Sequence, residues 1–313
     1  MTMGWVDVHH HFLPPRFVAE QRDEILYFAR DPAVLEWTPA RAVEQLDRFG
    51  IDTAYTSLGV PGAPAPLLAR GCNEYAAELV RDHPGRFGMF ATLPLPNVEA
   101  SLTELDHAFD QLGADGVGLL SNYDGRHLGD PLFAPLLEAL DRRSAVVHVH
   151  PIAPPACRGA LPGYPDPFLE FPFDTTRTVT SLLYSGALTR WPHIAFIFSH
   201  GGGAVAMLAQ RIAALAQITG AVPNPLEQLS RRLYVDAVTT TSPPAFAATS
   251  TFFPGDRILF GSDYPYVPIE ATAHGLRNLD LDAGALEAIG AGNARALLQR
   301  ARNRPRYSTT DHQ

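Results

Sequence analysis

Eight short apolar runs, each bounded by turn residues, recur along the chain with a helical pattern between successive runs. They cover residues 5–11, 53–60, 87–95, 116–123, 144–150, 193–200, 232–239 and 257–263. Most are rich in Val, Ile, Leu and Phe with little polar alternation, as in strands of a parallel sheet covered on both faces. Helical periodicity fills residues 40–49, 66–81, 98–112, 131–142, 174–189, 203–218 and 243–253, the fifth opening on an Asp174-Thr175-Thr176 cap signal. Strand and helix alternating about eight times without a linker imply parallel crossovers and a single (β/α)₈ TIM barrel over residues 1–302. Residues 279–302 read as one or two extra closing helices, and 303–313 as a loose polar tail. An open doubly wound sheet would place a phosphate-binding glycine loop after the first strand, where this chain has His10-His11-Phe12-Leu13-Pro14. The long proline-rich stretch 152–173 after the fifth run reads as a lid or substrate wall.

Barrel active sites gather at the carboxyl ends of the strands, so candidate chemistry is sought there. The first run ends His9-His10-His11; residues two apart share a face, so His9 and His11 point together while Val8 and His10 face away. The fifth ends His148-Val149-His150, with His150 nearer the mouth and His148 read as a supporting residue. The sixth ends His200-Gly201-Gly202-Gly203 and the eighth Gly261-Ser262-Asp263-Tyr264-Pro265. Four histidines and one carboxylate at a single mouth are the donor set of a divalent metal site. Each alone could be a packed core residue or a cap; all of them together at four strand ends require a common purpose. Glycines after a histidine also occur in esterase oxyanion loops, but the Gly-x-Ser-x-Gly elbow those enzymes need is absent.

Composition removes other classes. Net charge is −9 with no basic block, so neither nucleic acid nor an anionic membrane is an expected partner. No apolar run is long enough to cross a bilayer, and no amino-terminal signal segment is visible. Cys72 and Cys157 lack metal or redox spacing and read as reduced thiols of a cytoplasmic protein. All 24 basic side chains are arginine, which excludes Schiff-base chemistry, a Walker A lysine and a carboxylated-lysine bridge between two metals.

Taken in order, Asp7-x-His9-x-His11, His150-Pro151, His200-Gly-Gly-Gly203 and Gly261-Ser-Asp263-Tyr-Pro265 resemble the amidohydrolase superfamily, over roughly residues 5 to 300. The closest branch contains aminocarboxymuconate semialdehyde decarboxylase and 6-methylsalicylate-type decarboxylases. The resemblance implies one divalent ion per subunit, zinc or manganese, held by His9, His11, His150 and Asp263, with no organic cofactor. His200 then acts beside the metal on its bound water or substrate. The same resemblance implies a homodimer in which Arg211, eleven residues after His200, reaches a small carboxylate substrate in the neighbouring subunit. Arg41 stands one position from a second family arginine, and Phe173 and Arg177 lie in a stretch that looks like the methylsalicylate-type members. Phe173 is a candidate aromatic clamp.

The chemistry implied is non-oxidative loss of CO₂ from an ortho-hydroxy aromatic acid. Protonating the ring carbon that bears the carboxylate breaks aromaticity and makes CO₂ departure downhill, with Asp263 or His200 as acid. Hydrolysis of a lactone or amide on the same scaffold, with His200 as base, is the competing reading. A metal-binding barrel without catalysis is the third.

Overall fold

β1 (Trp5–Phe12) is the strand around which the barrel closes. Seven of its eight residues are buried, because it has a parallel neighbour on each side. The computed structural model describes residues 4–220 and 222–303; the expected tail 303–313 lies outside them except for Asn303. Following β1 are β2 (Ile51–Leu58), β3 (Phe87–Thr92), β4 (Gly116–Leu120), the small hairpin β5 (Asn122–Tyr123) and β6 (Arg126–His127), β7 (Val146–His150), β8 (Ala195–Phe198), β9 (Leu233–Asp236) and β10 (Ile258–Leu259). The eight larger-sheet strands run in the order β1-β2-β3-β4-β7-β8-β9-β10, all neighbours parallel. β10 is regular for only two residues, but its continuation bonds to β1. Val8 N–H donates to Phe260 O at 3.1 Å, Asp263 N–H to His9 O at 2.7 Å and His11 N–H to Tyr264 O at 2.7 Å. The sheet therefore closes into the (β/α)₈ barrel that the alternating pattern predicts.

Two apolar layers hold it. Inside, Val6, Val8, Tyr55, Phe90, Val146, Ile197, Tyr234 and Leu259 form one buried cluster with Leu297 and Leu298 of the helix Asn293–Asn303. Outside, residues such as Ala91, Val147, Val149, Phe196, Phe198 and Phe260 pack against the surrounding helices. Each fully buried Val, Ile, Leu or Phe side chain among them contributes roughly 1.5–3 kcal/mol.

Local departures from the sequence reading have identifiable causes. Val6 and Val8 face the barrel interior, and so do His9 and His11, which uninterrupted alternation forbids. A register shift between Asp7 and His10 resolves this: three steps on β1 face two on β2. This β-bulge turns the strand by one residue where its chemistry begins. The fifth predicted helix starts earlier, as Glu170–Tyr184, and Asp174 does not cap it. Asp174 is buried instead, accepting from Asn122 Nδ2 at 2.8 Å and lying 2.9 Å from His127 Nε2. The helix Pro15–Ala29 carries no strong apolar stripe in sequence, yet it buries Phe17, Ile25 and Phe28 against the barrel. Residues 152–173 carry short 3₁₀ turns at Pro155–Cys157 and Asp166–Phe168 before the helix Glu170–Tyr184 begins.

Candidate active site and metal centre

Five side chains predicted from strand ends converge at the carboxyl-terminal mouth of the barrel. His9 Nε2 and His11 Nε2 lie 3.1 Å apart. Both face Asp263 Oδ1, at 3.3 and 3.0 Å, and His150 Nε2 stands 4.0 Å from the same oxygen. His200 Nε2 approaches the other oxygen, Oδ2, at 3.2 Å. All five residues are buried or nearly so. Gly261 makes this convergence possible, since a Cβ there would sit 2.8 Å from His9 Cβ and 3.0 Å from Asp236 Cβ.

The far side of each imidazole fixes its tautomer. His9 Nδ1 faces the carboxylate of Asp236 at 2.7 Å, His11 Nδ1 the carbonyl of Ser57 at 3.2 Å, and His150 Nδ1 the carbonyl of Pro151 at 2.8 Å. Each acceptor requires a proton on Nδ1, which leaves an Nε2 lone pair in the neutral ring. Three lone pairs thus face one carboxylate oxygen, and Asp263 Oδ1 is buried without a hydrogen-bond donor. Negative charge gathered this way is relieved by a cation. The donor separations of 3–4 Å suit ligands placed about 2.0–2.2 Å from a common ion. These residues fit a divalent metal.

The protein's own field favours positive charge between the two carboxylates, which either a proton on His9 Nε2 or a cation can supply. Burial opposes charge on His9, but Asp263 and Asp236 on either side override it and raise its pKa to about 10. Burial would raise the carboxyl of Asp263, yet His9, His11 and His200 hold it well below the usual range. His150 and His148 are pushed well below ordinary imidazole values, first by burial and then by neighbouring imidazoles. A second arrangement of donors is present: atoms of His9, His150, His200 and Asp263 all lie within 4.8 Å of one another. His200 differs from the other three histidines in that its Nδ1 is buried with no partner and its Nε2 faces Oδ2.

Two further histidines, His10 and His148, belong to the same strands. His10 turns out of the barrel to Asp7 Oδ2 at 3.0 Å and against Tyr264. His148 forms the floor, its ring 4.7 Å from that of His9 and stacked on Phe90.

Above the floor is a cavity of about 350 Å³ reaching the surface. Phe28, Val60, Phe171, Pro172, Tyr266 and Val267 make its walls, with His150, His200 and Asp263 at its inner end. Phe173, the predicted clamp, is 41% exposed and outside this wall. Phe171 takes that place, its ring 5.7 Å from His150 in an edge contact and 5.9 Å from Phe28. The helix Glu170–Tyr184 presents Phe171 and Phe173 to different sides, since residues two apart do not share a helical face. Arg41 and Arg177 also lie outside the cavity, Arg41 paired with Glu36, and Arg177 3.8 Å from Glu170 and 3.7 Å from Asp174. Arg211 is exposed on the helix Val205–Thr219 and reaches no part of this chain's cavity.

The amidohydrolase family model matches residues 6–300. The chain belongs to the amidohydrolase family. Among curated relatives, this amidohydrolase is 36% identical over 293 residues to decarboxylase yanB of Aspergillus niger, covering 85% of this chain and 78% of that protein. It is 32% identical over 286 residues to the 6-methylsalicylic acid decarboxylase of Penicillium expansum, covering 86% and 87%. A crystal structure of an amidohydrolase II superposes with a TM-score of 0.86 at 27% identity, over 94% of this chain and 99% of the other. The dihydroxybenzoic acid decarboxylase of Polaromonas sp., solved with manganese and 2-nitroresorcinol, shares the fold with a TM-score of 0.80 at 23% identity, over 96% and 98%.

Several residues of the amidohydrolase site escaped the search of strand ends. Asp236 ends β9 and binds three groups: His9 Nδ1, the N–H of His200 at 2.8 Å and that of Val238 at 3.0 Å. Its signal was a carboxylate closing an apolar run, as at Asp263. Asp7 accepts from the N–H groups of His9 and Ser262 and from Ser262 Oγ, tying β1 to the last strand. Phe28, Arg30 and Tyr266 come from segments outside the strands, where no local pattern marks them.

Proposed function

We propose that the chain is a metal-dependent non-oxidative decarboxylase of an ortho-hydroxy aromatic acid. The observation that carries this reading is the convergence of three imidazole lone pairs on one orphaned carboxylate oxygen at the end of an aromatic-walled cavity. The relatives named as decarboxylases support the reaction class. His9, His11, His150 and Asp263 would hold the ion, zinc or manganese; the Polaromonas structure was solved with manganese bound. When bound, the ion supplies Lewis-acid attraction for the substrate's oxygens and fixes the ring.

The chain's own groups do the rest. Asp263, held ionised, can only accept, so across the 3.2 Å contact His200 Nε2 would be the donor. That proton, passed directly or through Asp263 Oδ2, goes to the ring carbon bearing the carboxylate. The carbon–carbon bond then breaks, its electron pair returns to the ring and CO₂ leaves. One carboxylate and one proton become one arene and one CO₂. Phe28 and Phe171 hold the ring, and the apolar wall excludes water that would otherwise solvate the anion. Both proton-handling residues carry a left-handed backbone, His200 at φ 56° and Asp263 at φ 62°. Such strain costs roughly 1–3 kcal/mol per residue and collects at functional sites.

The proposal includes a homodimer with Arg211 serving the neighbouring cavity. Met207, Arg211, Leu215 and Ile218 lie on one face of the helix Val205–Thr219, and the three apolar members are 75%, 55% and 82% exposed. An apolar face of that size with a central arginine suits a subunit interface.

Metal analysis of the purified protein, combined with a screen of ortho-hydroxybenzoates for CO₂ release, tests the reading. CO₂ and phenol formed in equal amounts would support it. Turnover of lactones or amides with no CO₂ would replace it with hydrolysis.

A further inference from the structure

We propose that Arg30 is the cation that selects anionic substrates at the mouth of the catalytic cavity. The role rests on the decarboxylase reading and deepens it by assigning charge recognition to a residue of the same subunit. Arg30 lines the cavity that contains His150, His200 and Asp263, and it is the one arginine among the described residues to do so.

Its charge is available. Glu24 pairs with Arg158 at 2.7 Å, Asp31 accepts from the N–H of Ala33 at 2.9 Å, and Asp166 accepts from Tyr27 Oη and the N–H of Gly159, both at 2.8 Å. Among the described residues no carboxylate lies within 4.0 Å of its guanidinium. The contact it does make, with Cζ 5.3 Å from the Tyr27 ring centroid, is a weak one at an exposed site and easily exchanged for an anion. The rest of the chain carries a net charge that repels anions, so a local cation at the entrance decides which ligands arrive.

The backbone supplies an independent sign. Arg30 ends the helix Pro15–Ala29 at φ 59°, a position that favours glycine. Seven described non-glycine residues have positive φ, and four of them line this one cavity: Arg30, His200, Thr239 and Asp263. Keeping arginine where glycine would relax the chain gives the side chain a purpose.

The test measures equilibrium binding of benzoate and of its uncharged analogue benzamide to the metal-loaded protein, alongside steady-state kinetics. The wild type should prefer benzoate by about tenfold, a modest gain for a charge-assisted contact. Arg30→Ala should cut that preference to about threefold or less, raise KM about tenfold and change kcat less than about twofold, with the gap narrowing in high salt. Arg30→Lys should keep most of the preference. Arg30→Gly relaxes the backbone, so a retained melting temperature with lost preference separates charge from capping. Unchanged benzoate preference and KM in Arg30→Ala and Arg30→Glu would overturn the assignment. Binding is read without turnover. No CO₂ release from the wild type, with preference still dependent on Arg30, would sink the decarboxylase reading and leave Arg30 in place.

Discussion

His9 Nδ1 lies 2.7 Å from Asp236 Oδ2, with both side chains fully buried. This contact sets which nitrogen of His9 can face a metal, because a carboxylate accepts and cannot donate. Asp236→Asn keeps the shape but turns an amide N–H₂ toward Nδ1. If Oδ1 keeps the amides of His200 and Val238, His9 must then accept at Nδ1 and protonate Nε2. Metal affinity should fall about 10–100-fold, with the fold intact by circular dichroism. A dissociation constant equal to the wild type's would show that His9 is not held by this bond.

The roles of the clustered histidines separate by substitution. His11→Ala should lose the metal, whereas His10→Ala should retain it, since His10 faces Asp7 outside the barrel. His200→Ala should retain the metal and lose about 10²–10⁴-fold in kcat, the usual worth of acid–base help. Metal content and kcat measured on the same preparations decide the matter. Full activity in His200→Ala removes it as the acid.

His148 makes stability depend on pH. Burial, then the neighbouring imidazoles of His9, His11 and His200, depress its pKa well below the ordinary value of 6.5. Below that pH the unfolded chain takes up a proton that the folded chain refuses. Stability from this group is therefore full above about pH 6.5 and is lost as pH falls beneath it, by up to about 1.4 kcal/mol per pH unit. Denaturant unfolding from pH 7 to 5 should give a shallower slope for His148→Gln than for the wild type. Equal slopes would place the dependence elsewhere.

Arg211 can be tested by complementation. If it serves the neighbouring cavity, Arg211→Ala and His200→Ala dimers should each be impaired. Exchanging their subunits would rebuild one intact site per mixed dimer, restoring roughly a quarter of all sites in a two-fold assembly. No recovery after verified exchange would argue that Arg211 acts only within its own subunit or not at all.

The sequence by itself determined the barrel and the inner end of its site. Apolar runs alternating with helical periods admit few architectures, and strand ends of such a barrel all meet at one mouth. His9, His11, His150, His200 and Asp263 could therefore be named from their places in the pattern. Only the tertiary structure decided the rest. The bulge between Asp7 and His10 depends on pairing with β2, so alternation alone put Val8 on the wrong side. Asp236 gains its role from three partners brought to it by other strands. The cavity wall comes from Phe28, Arg30, Phe171 and Tyr266, which lie outside the barrel strands whose ends the sequence marks. Periodicity reports which face of an element is buried; which distant groups share that burial is set by the closing of the barrel.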